Sequence, residues 1–436
     1  MFYAFIKILF GSAIRIFFRR IVISGEGNIP ADKPVILVAN HPSAFMDPLL
    51  LGIIYKKPLY FFARADIFKP GFVNWITKKA HVSPIYRIVD GADTLEKNDE
   101  VFSNAYQLLA EKKTLLLFGE GFTDEIFIRR VKPMKKGSMR IALGAEKKFD
   151  FKLDVQIICV GINYADPNKF RSDVLIKFSK PISVNKYKDL FLEHNNKAMQ
   201  ELNKEIYSLL KNEVVHIENA AHSELLEQLL VVSGKGLNHA SFHNDLSLMQ
   251  RCDFSKKLSD SLNKIPFSES EKLREKCRNY FHSLNDLKIS DQSLEKENSF
   301  LGEALFLILT FPLFLFGIVN NFPPIKLSAV VSKKISQRPV FWRSTDMAFS
   351  IITLPLYYLI LLYFLNFFFQ IKFLFLFVYL ILMLPSGIFA FHYIKKIQQI
   401  RQQISFRKIL KKEKNKVEAL LEQRKKILKE IESLID

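Results

Sequence analysis

Two side chains in one short stretch could do acid–base chemistry. In "VILVANHPSAFMDPLL", Val35 to Leu50, His41 is followed by Asp47 in an HxxxxD arrangement. If a turn or helix begins at Pro42, the aspartate can fold back beneath the imidazole and accept its N–H. That fixes the tautomer and leaves the other ring nitrogen free to take a proton, which is the logic of a general base. Taken alone the spacing is common, and a histidine capping a strand with an aspartate in a turn before Pro48 explains the same letters.

Other segments change that balance. "FFARADIF" places Arg64 just beyond a strand, and "VSPIYR" places Arg87 at another strand end. "LLLFGEGF" delivers Glu120 between two glycines directly after a strand, so that the backbone at Gly121 can approach an anion or a reacting carbonyl closely. "VKPMKKGSMRIAL" offers Lys135, Lys136 and Arg140 at the start of a helix, where amide dipoles favour phosphate. Ligands of open α/β sheets gather at strand ends. One base and several cations there fit a hydroxyl nucleophile carried on a phosphorylated substrate.

The elements that must position these residues are legible in the text. From Val35 to about Asn185, the runs "VILVA", "LYFFA", "TLLLF", "VQIICVGI" and "VLIKF" read as strands, with amphipathic stretches such as Asn98 to Glu111 and Lys136 to Lys147 between them. That alternation predicts an α/β domain with a largely buried sheet flanked by helices. From Tyr187 to about Asn298 the strand signals stop, and a polar helical extension follows.

The whole chain has 436 residues, enough for two or three structural units, and a formal net charge of +19 that calls for anionic partners. With 49% hydrophobic residues and 41 Phe beside that charge, the composition suggests a protein that enters a membrane and grips its anionic lipids. The basic surplus is not interleaved with aromatics on a nucleic-acid-binding pattern, so nucleic acid is not the expected partner. The 3 cysteines, Cys159, Cys252 and Cys277, lack CxxC spacing and support neither a disulfide framework nor a thiolate zinc site. In "HASFH", His239 and His243 have metal-like spacing without the intervening Glu, and no metal site is expected. Ser43 has no nucleophile elbow around it.

Membrane association is expected at both ends. "MFYAFIKILFGSAIRIFFRR" spaces Phe, Ile and Leu as an amphipathic helix over residues 1–21, either lying in the membrane interface or packed on the domain. Near the C-terminus, Met347 to Phe369 and Phe373 to Phe391 are uncharged and separated only by "QIK", which predicts a transmembrane hairpin. Basic residues before it (Lys326, Lys333, Lys334, Arg338, Arg343) and after it (Lys395, Lys396, Arg401) put both outer flanks on the cytoplasmic side. Ala304 to Val319 is about the shortest run that could cross a bilayer, and a re-entrant or interfacial segment turned at "NNFPPI" would instead keep the N-terminal domain on that same side. The tail, 396–436, repeats apolar positions with Arg424 at one of them, which reads as a self-associating helix or a basic helix on the membrane surface.

Four of these stretches carry a resemblance. "NHPSAFMD", "SPIYR", "FGEG" and "IICVGINY" are similar, in order and approximate spacing, to motifs I to IV of the glycerolipid acyltransferases. That family includes the glycerol-3-phosphate and 1-acylglycerol-3-phosphate acyltransferases. The resemblance covers roughly Val22 to Lys188, and "FFARADIFKPGF", "MKKGSMRIALGA" and the hairpin resemble most the branch that acylates glycerol 3-phosphate or dihydroxyacetone phosphate. It implies an acyltransferase domain over 22–188; the composition beyond it adds a helical extension over 189–300 and a membrane region over 301–395.

The resemblance also implies roles. His41 would deprotonate the acceptor hydroxyl and Asp47 would orient His41. Arg87, with Lys136 and Arg64 nearby, would bind the acceptor phosphate, and Glu120 and Gly121 would shape the acceptor pocket. The acyl donor would be a coenzyme A or acyl-carrier-protein thioester, with no metal, no further cofactor and no acyl-enzyme. A lysolipid acceptor is the alternative, and a decayed acyltransferase domain serving as a membrane scaffold is the alternative of another class. Three positions depart from the family pattern: Gly119 and Cys159 stand where proline is usual, and Phe122 replaces a polar residue.

Overall fold

Val35–Ala39 is buried along its whole length because branched and apolar side chains project to both faces, and it forms the middle of the sheet. The structure is a computed structural model and describes residues 2–65, 68, 71–86, 94–238, 246–294 and 300–435. Arg87, His239 and His243 lie outside the described residues.

The strands are β1 (Phe18–Ser24), β2 (Val35–Ala39), β3 (Leu59–Arg64), β4 (Val82–Ile85), β5 (Thr114–Phe118), β6 (Gln156–Tyr164), β7 (Ser172–Phe178) and β8 (Ile182–Ser183). They form one 8-stranded sheet in the order β1-β7-β6-β2-β5-β3-β4, with β8 on β6. β6, β2, β5, β3 and β4 are mutually parallel, so their C-terminal ends share one edge, while β7 is antiparallel to β6. Chain elements as distant as His41, Arg64, Glu120 and Tyr164 therefore emerge along the same rim.

The helices of the first half are α1 (Phe2–Phe17), α2 (Met46–Ile54), α3 (Phe72–Lys79), α4 (Thr94–Ala110), α5 (Gly137–Lys148), α6 (Lys188–Glu193) and α7 (Asn195–Glu213). One face of β2, β5 and β6 packs Ile36, Val38, Leu115, Leu117 and Ile157 against Leu109 of α4, Met139 and Leu143 of α5, and Leu202, Ile206 and Leu210 of α7. On the other side Gly52 of α2 lies against the Phe61 ring and Gly11 of α1 against Ile53.

Two boundaries differ from the sequence reading. α1 stops at Phe17 rather than near residue 21, and "FRR" opens an edge strand where Arg19 and Arg20 pair with the buried Asp173. The helix buries Ile14 and Phe17 while Phe5 and Ile8 stay exposed. The domain also runs past Lys188, because α7 supplies core that α4 and α5 leave uncovered. The first compact unit is 1–223 with 240–260, and the second is 224–239 with 261–436.

The remaining helices are α8 (Ser223–Ser233), α9 (Leu248–Leu262), α10 (Phe267–Asp286), α11 (Phe300–Ile335), α12 (Trp342–Phe369), α13 (Phe373–Lys412) and α14 (Lys414–Ile435). Stretches Gly302–Ile335, Pro339–Phe369 and Phe373–Lys412 are each long and apolar enough to cross a membrane. No loop interrupts α11 at "NNFPPI", where a turn is expected; the helix bends there instead. Its first half runs antiparallel to α13, with Glu303 paired to Lys396 at 2.6 Å, the Tyr393 hydroxyl on the Leu307 carbonyl, and the Asn321 amide on the Met383 carbonyl. Its second half runs antiparallel to α12: Thr353 reaches the Pro324 carbonyl and Ser328 bonds to Asp346. Because α12 and α13 turn back on each other through Gln370–Lys372, one straight rod cannot satisfy both registers.

The bend has a local cause. Pro323 and Pro324 bring no amide hydrogens, and the Val319 carbonyl, freed by Pro323, takes the Tyr357 hydroxyl at 3.4 Å. Both ends of α11 thus return to the open end of the α12–α13 hairpin. The heptad-like face of α14, with Val417, Leu420, Ile427 and Ile431, is buried within this chain, where α14 packs on α10.

Candidate active site

β2 ends at Ala39, and Asn40 is clamped to the neighbouring strand: its side chain donates to the Ile162 carbonyl at 3.2 Å and accepts from the Ile162 amide at 2.8 Å. The chain then turns sharply, with Ala44 in the left-handed region at φ 46, an expensive conformation for a residue with a Cβ. The turn delivers α2 so that Asp47, on its first turn, swings back under His41.

His41 Nδ1 lies 2.8 Å from Asp47 Oδ2, the same oxygen accepts from the Ser43 amide at 2.8 Å, and the Tyr164 hydroxyl donates to Oδ1 at 2.8 Å. Asp47 is fully buried, whereas the His41 side chain keeps 19% of its surface exposed. The imidazole stacks on the Phe118 ring with centroids 4.1 Å apart. With Nδ1 committed to the carboxylate, Nε2 is the nitrogen left for a substrate proton.

Glu120 and Gly121 follow β5, next to β2 in the sheet. Glu120 is fully buried and faces inward: one carboxylate oxygen accepts from the His41 amide at 3.3 Å and pairs with Lys132 Nζ at 2.6 Å, and the other accepts from the Lys132 amide. Burial raises the Glu120 carboxyl above its usual range, and Lys132 pulls it back. Lys132 Nζ also approaches the His41 carbonyl at 3.5 Å and Asp124 at 3.6 Å. Burial pushes Asp124 up as well, but bonds from Arg130 and the charge of Lys132 outweigh it and hold Asp124 below the usual range. Glu120 therefore acts as a strut beneath the histidine backbone.

The segment that carries Lys132 is itself anchored. Arg129 donates to the Tyr164 and Ala165 carbonyls, and the Val131 amide donates to His216 Nδ1 at 2.9 Å. Burial lowers the His216 pKa, which suits a neutral ring accepting that amide.

The other expected site residues fall around this rim. Arg64 ends β3, exposed and in register with Ile85 of β4. Asn98 clamps Tyr86, the residue before Arg87, accepting from its amide and donating to its carbonyl. Lys136 precedes α5 and is exposed, as are Lys135 and Arg140, and the Lys135 amide donates to the Gly119 carbonyl at 2.7 Å. Gly121 sits at φ 73, which requires glycine's freedom, with the Lys135 side chain against it.

Two departures from the family pattern have packing reasons. A Cβ at Gly119 would overlap the end of the Met134 side chain, which fills the space a proline would need. Cys159 is buried in the core with its thiol on the Ile206 carbonyl, and burial pushes the thiol up to about 12. Among the described residues, no group of His, Cys, Asp and Glu side chains is placed to hold a metal ion.

Residues 20–163 match the family model described as Acyltransferase. Over this stretch the chain resembles an acyltransferase domain. Its bounds take in both members of the His41–Asp47 pair and the Glu120 turn, and they end one residue short of Tyr164. No curated protein matches the chain. Among solved structures, the chain is similar to the 1-acyl-sn-glycerophosphate (LPA) acyltransferase PlsC from Thermotoga maritima. That likeness has 22% identity over 48% of this chain and 80% of the other, with a TM-score of 0.33.

Tyr164 and Lys132 were not legible as site residues. Tyr164 closes "IICVGINY", but its partner Asp47 is 117 positions away. Lys132 reads as one more surface charge in a basic stretch, and nothing local signals that it is 3% exposed.

Proposed function

We propose that the acyltransferase domain moves a fatty acyl group from a coenzyme A or acyl-carrier-protein thioester to a hydroxyl of a phosphorylated glycerol-type acceptor. His41 Nε2 takes the hydroxyl proton as the oxygen attacks the thioester carbonyl. The tetrahedral intermediate collapses with loss of the thiolate, and the proton passes from His41 to the sulfur. The ester bond forms, the C–S bond breaks, and the enzyme returns unchanged.

The observation that carries this reading is the His41–Asp47 pair, 2.8 Å apart, with one member buried and the other open to solvent at the sheet's C-terminal rim. Arg64 and Lys136 on that rim supply charge for an acceptor phosphate, and the resemblance implies the same role for Arg87. The product is a lipid, which fits a chain with three helices long and apolar enough to cross a membrane. The basic residues at the open end of the α12–α13 hairpin support a cytoplasmic location for the domain.

The test is acyl transfer in purified membranes with a panel of acceptors: glycerol 3-phosphate, dihydroxyacetone phosphate, lysophosphatidate and an acceptor without phosphate. His41→Ala should lower transfer by two to four orders of magnitude while the protein stays membrane-inserted. Activity within a few-fold of wild type refutes the assignment. Arg87→Ala should raise the acceptor KM with a phosphorylated acceptor and leave it unchanged with one lacking phosphate.

A further inference from the structure

Asp47 accepts three bonds of 2.8 Å, from His41 Nδ1, the Ser43 amide and the Tyr164 hydroxyl. Two of these donors are provided by the turn around His41. The third comes from the neighbouring strand, at the last residue of β6. We infer that Tyr164 is a positioning residue for the proposed acyl transfer: its hydroxyl, donated to Asp47 Oδ1, holds the carboxylate in the plane that presents Oδ2 to His41. The inference rests on the reading of His41 as the general base.

Tyr164 is suited to this by its surroundings. Its side chain is fully buried, with the Phe18 ring stacked on it at 5.6 Å and its own carbonyl held by Arg129. Burial first, and the Asp47 charge second, raise its pKa well above the ordinary tyrosine value, so the hydroxyl keeps its proton throughout any working pH range. A permanent donor locked to one oxygen leaves the other oxygen for the imidazole. The same bond disperses part of the carboxylate's charge and so moderates its pull on a proton at His41.

The charged and titratable groups around the pair are Asp47 on α2, Tyr164 on β6, and the Glu120–Lys132 pair after β5. Glu120 faces the His41 amide and Lys132 its carbonyl. Tyr164→Phe leaves the others in place and removes only the donor on Oδ1. The carboxylate then attracts the His41 proton more strongly, so the acid limb of kcat/KM against pH moves to higher pH. Loss of one charge-assisted bond also lowers kcat, by about 10-fold, with the acceptor KM little changed.

The experiment uses the full chain in membranes and measures pH profiles of acyl transfer for wild type, Tyr164→Phe and a variant carrying 3-fluorotyrosine at 164. The fluorinated phenol keeps the fold and the bond but is a stronger donor, so its acid limb moves to lower pH. Tyr280→Phe is the control: it removes an equally buried tyrosine bond, to Asp291 at 2.5 Å within the second compact unit, and leaves the limb unmoved. In parallel, the pH midpoint for carbethoxylation of His41 by diethyl pyrocarbonate, mapped by mass spectrometry, should move with the limb. This second readout needs no turnover, so it tests the Tyr164 inference even if wild type transfers no acyl group, a result that would refute only the proposed function. Opposite shifts in the two Tyr164 variants support the inference. A limb and a midpoint that stay in place in both, or that move equally in Tyr280→Phe, overturn it.

Discussion

Replacing Lys132 by methionine tests whether the candidate site rests on a buried ion pair. Lys132 is 3% exposed and Glu120 is fully buried, so solvent screens their 2.6 Å contact very little. Removing one partner of such a pair strands a bare charge and costs about 3–5 kcal/mol. At roughly 2–4 °C per kcal/mol for a unit of this size, the midpoint of thermal unfolding should fall by about 10 °C near neutral pH.

The loss has a signature in pH. The Glu120 carboxyl already lies above its usual range because burial disfavours its charge, with Lys132 opposing the shift. A carboxyl raised on folding keeps its proton in the folded state at a pH where the unfolded chain has released it. Its contribution favours folding in acid and is lost as pH rises through the raised value. Without Lys132 the raised value climbs further. The deficit of the variant is therefore greatest at neutral pH and shrinks as pH falls below that value, because protonated Glu120 leaves no uncompensated charge inside.

Adding Glu120→Gln should restore most of the stability, since the amide oxygen can still accept from the His41 amide. Thermal unfolding of detergent-purified protein from pH 5 to 8 checks both variants against wild type. A Lys132→Met midpoint within about 2 °C of wild type, or a deficit that ignores pH, would refute the reasoning.

Gly317 on α11 has the Ser386 carbonyl where a Cβ would go and Ala390 Cβ 3.0 Å away, so Gly317→Ala should push α11 off α13 and cost about 1–3 kcal/mol, measured as a lower unfolding midpoint. The bend at Pro323 and Pro324 makes a topological forecast. Cysteines introduced at Gly302, Gln337 and Gln399 should react with an impermeant maleimide from one membrane face, and one at Gln370 from the other. Labelling of the Gly302 site together with Gln370 would show instead that α11 crosses the bilayer.

Much of the first half follows from rules that act over a few residues. Short apolar runs such as "VILVA" and "TLLLF" read as buried strands, and their alternation with amphipathic helices fits the parallel pairing across β6, β2, β5, β3 and β4. The His41–Asp47 contact belongs to the same class, because a tight turn joins residues so close in sequence. What supports that contact does not. Tyr164 and Lys132 are, by residue type, an ordinary aromatic and an ordinary surface cation. Only the sheet order that sets β6 and the end of β5 on either side of β2 turns them into site residues.

The C-terminal half divides in the same way. Apolar length alone identifies the α12–α13 hairpin, and the proline pair in "NNFPPI" marks a place where α11 must give up backbone bonds. A bent helix replaces the expected turn because Tyr357 answers a freed carbonyl and Asn321 bridges α12 and α13. Likewise Arg424 breaks an otherwise apolar face in the tail, and only folding explains it, through Asp291, buried and 133 positions away, which accepts its guanidinium at 2.9 Å. Sequence by itself determined which segments are strands, helices or membrane-length runs, because those depend on side-chain periodicity and the cost of exposing apolar surface. Tertiary structure alone decided which polar groups are buried together, because a buried charge or hydroxyl is stable only where a distant part of the chain brings its partner.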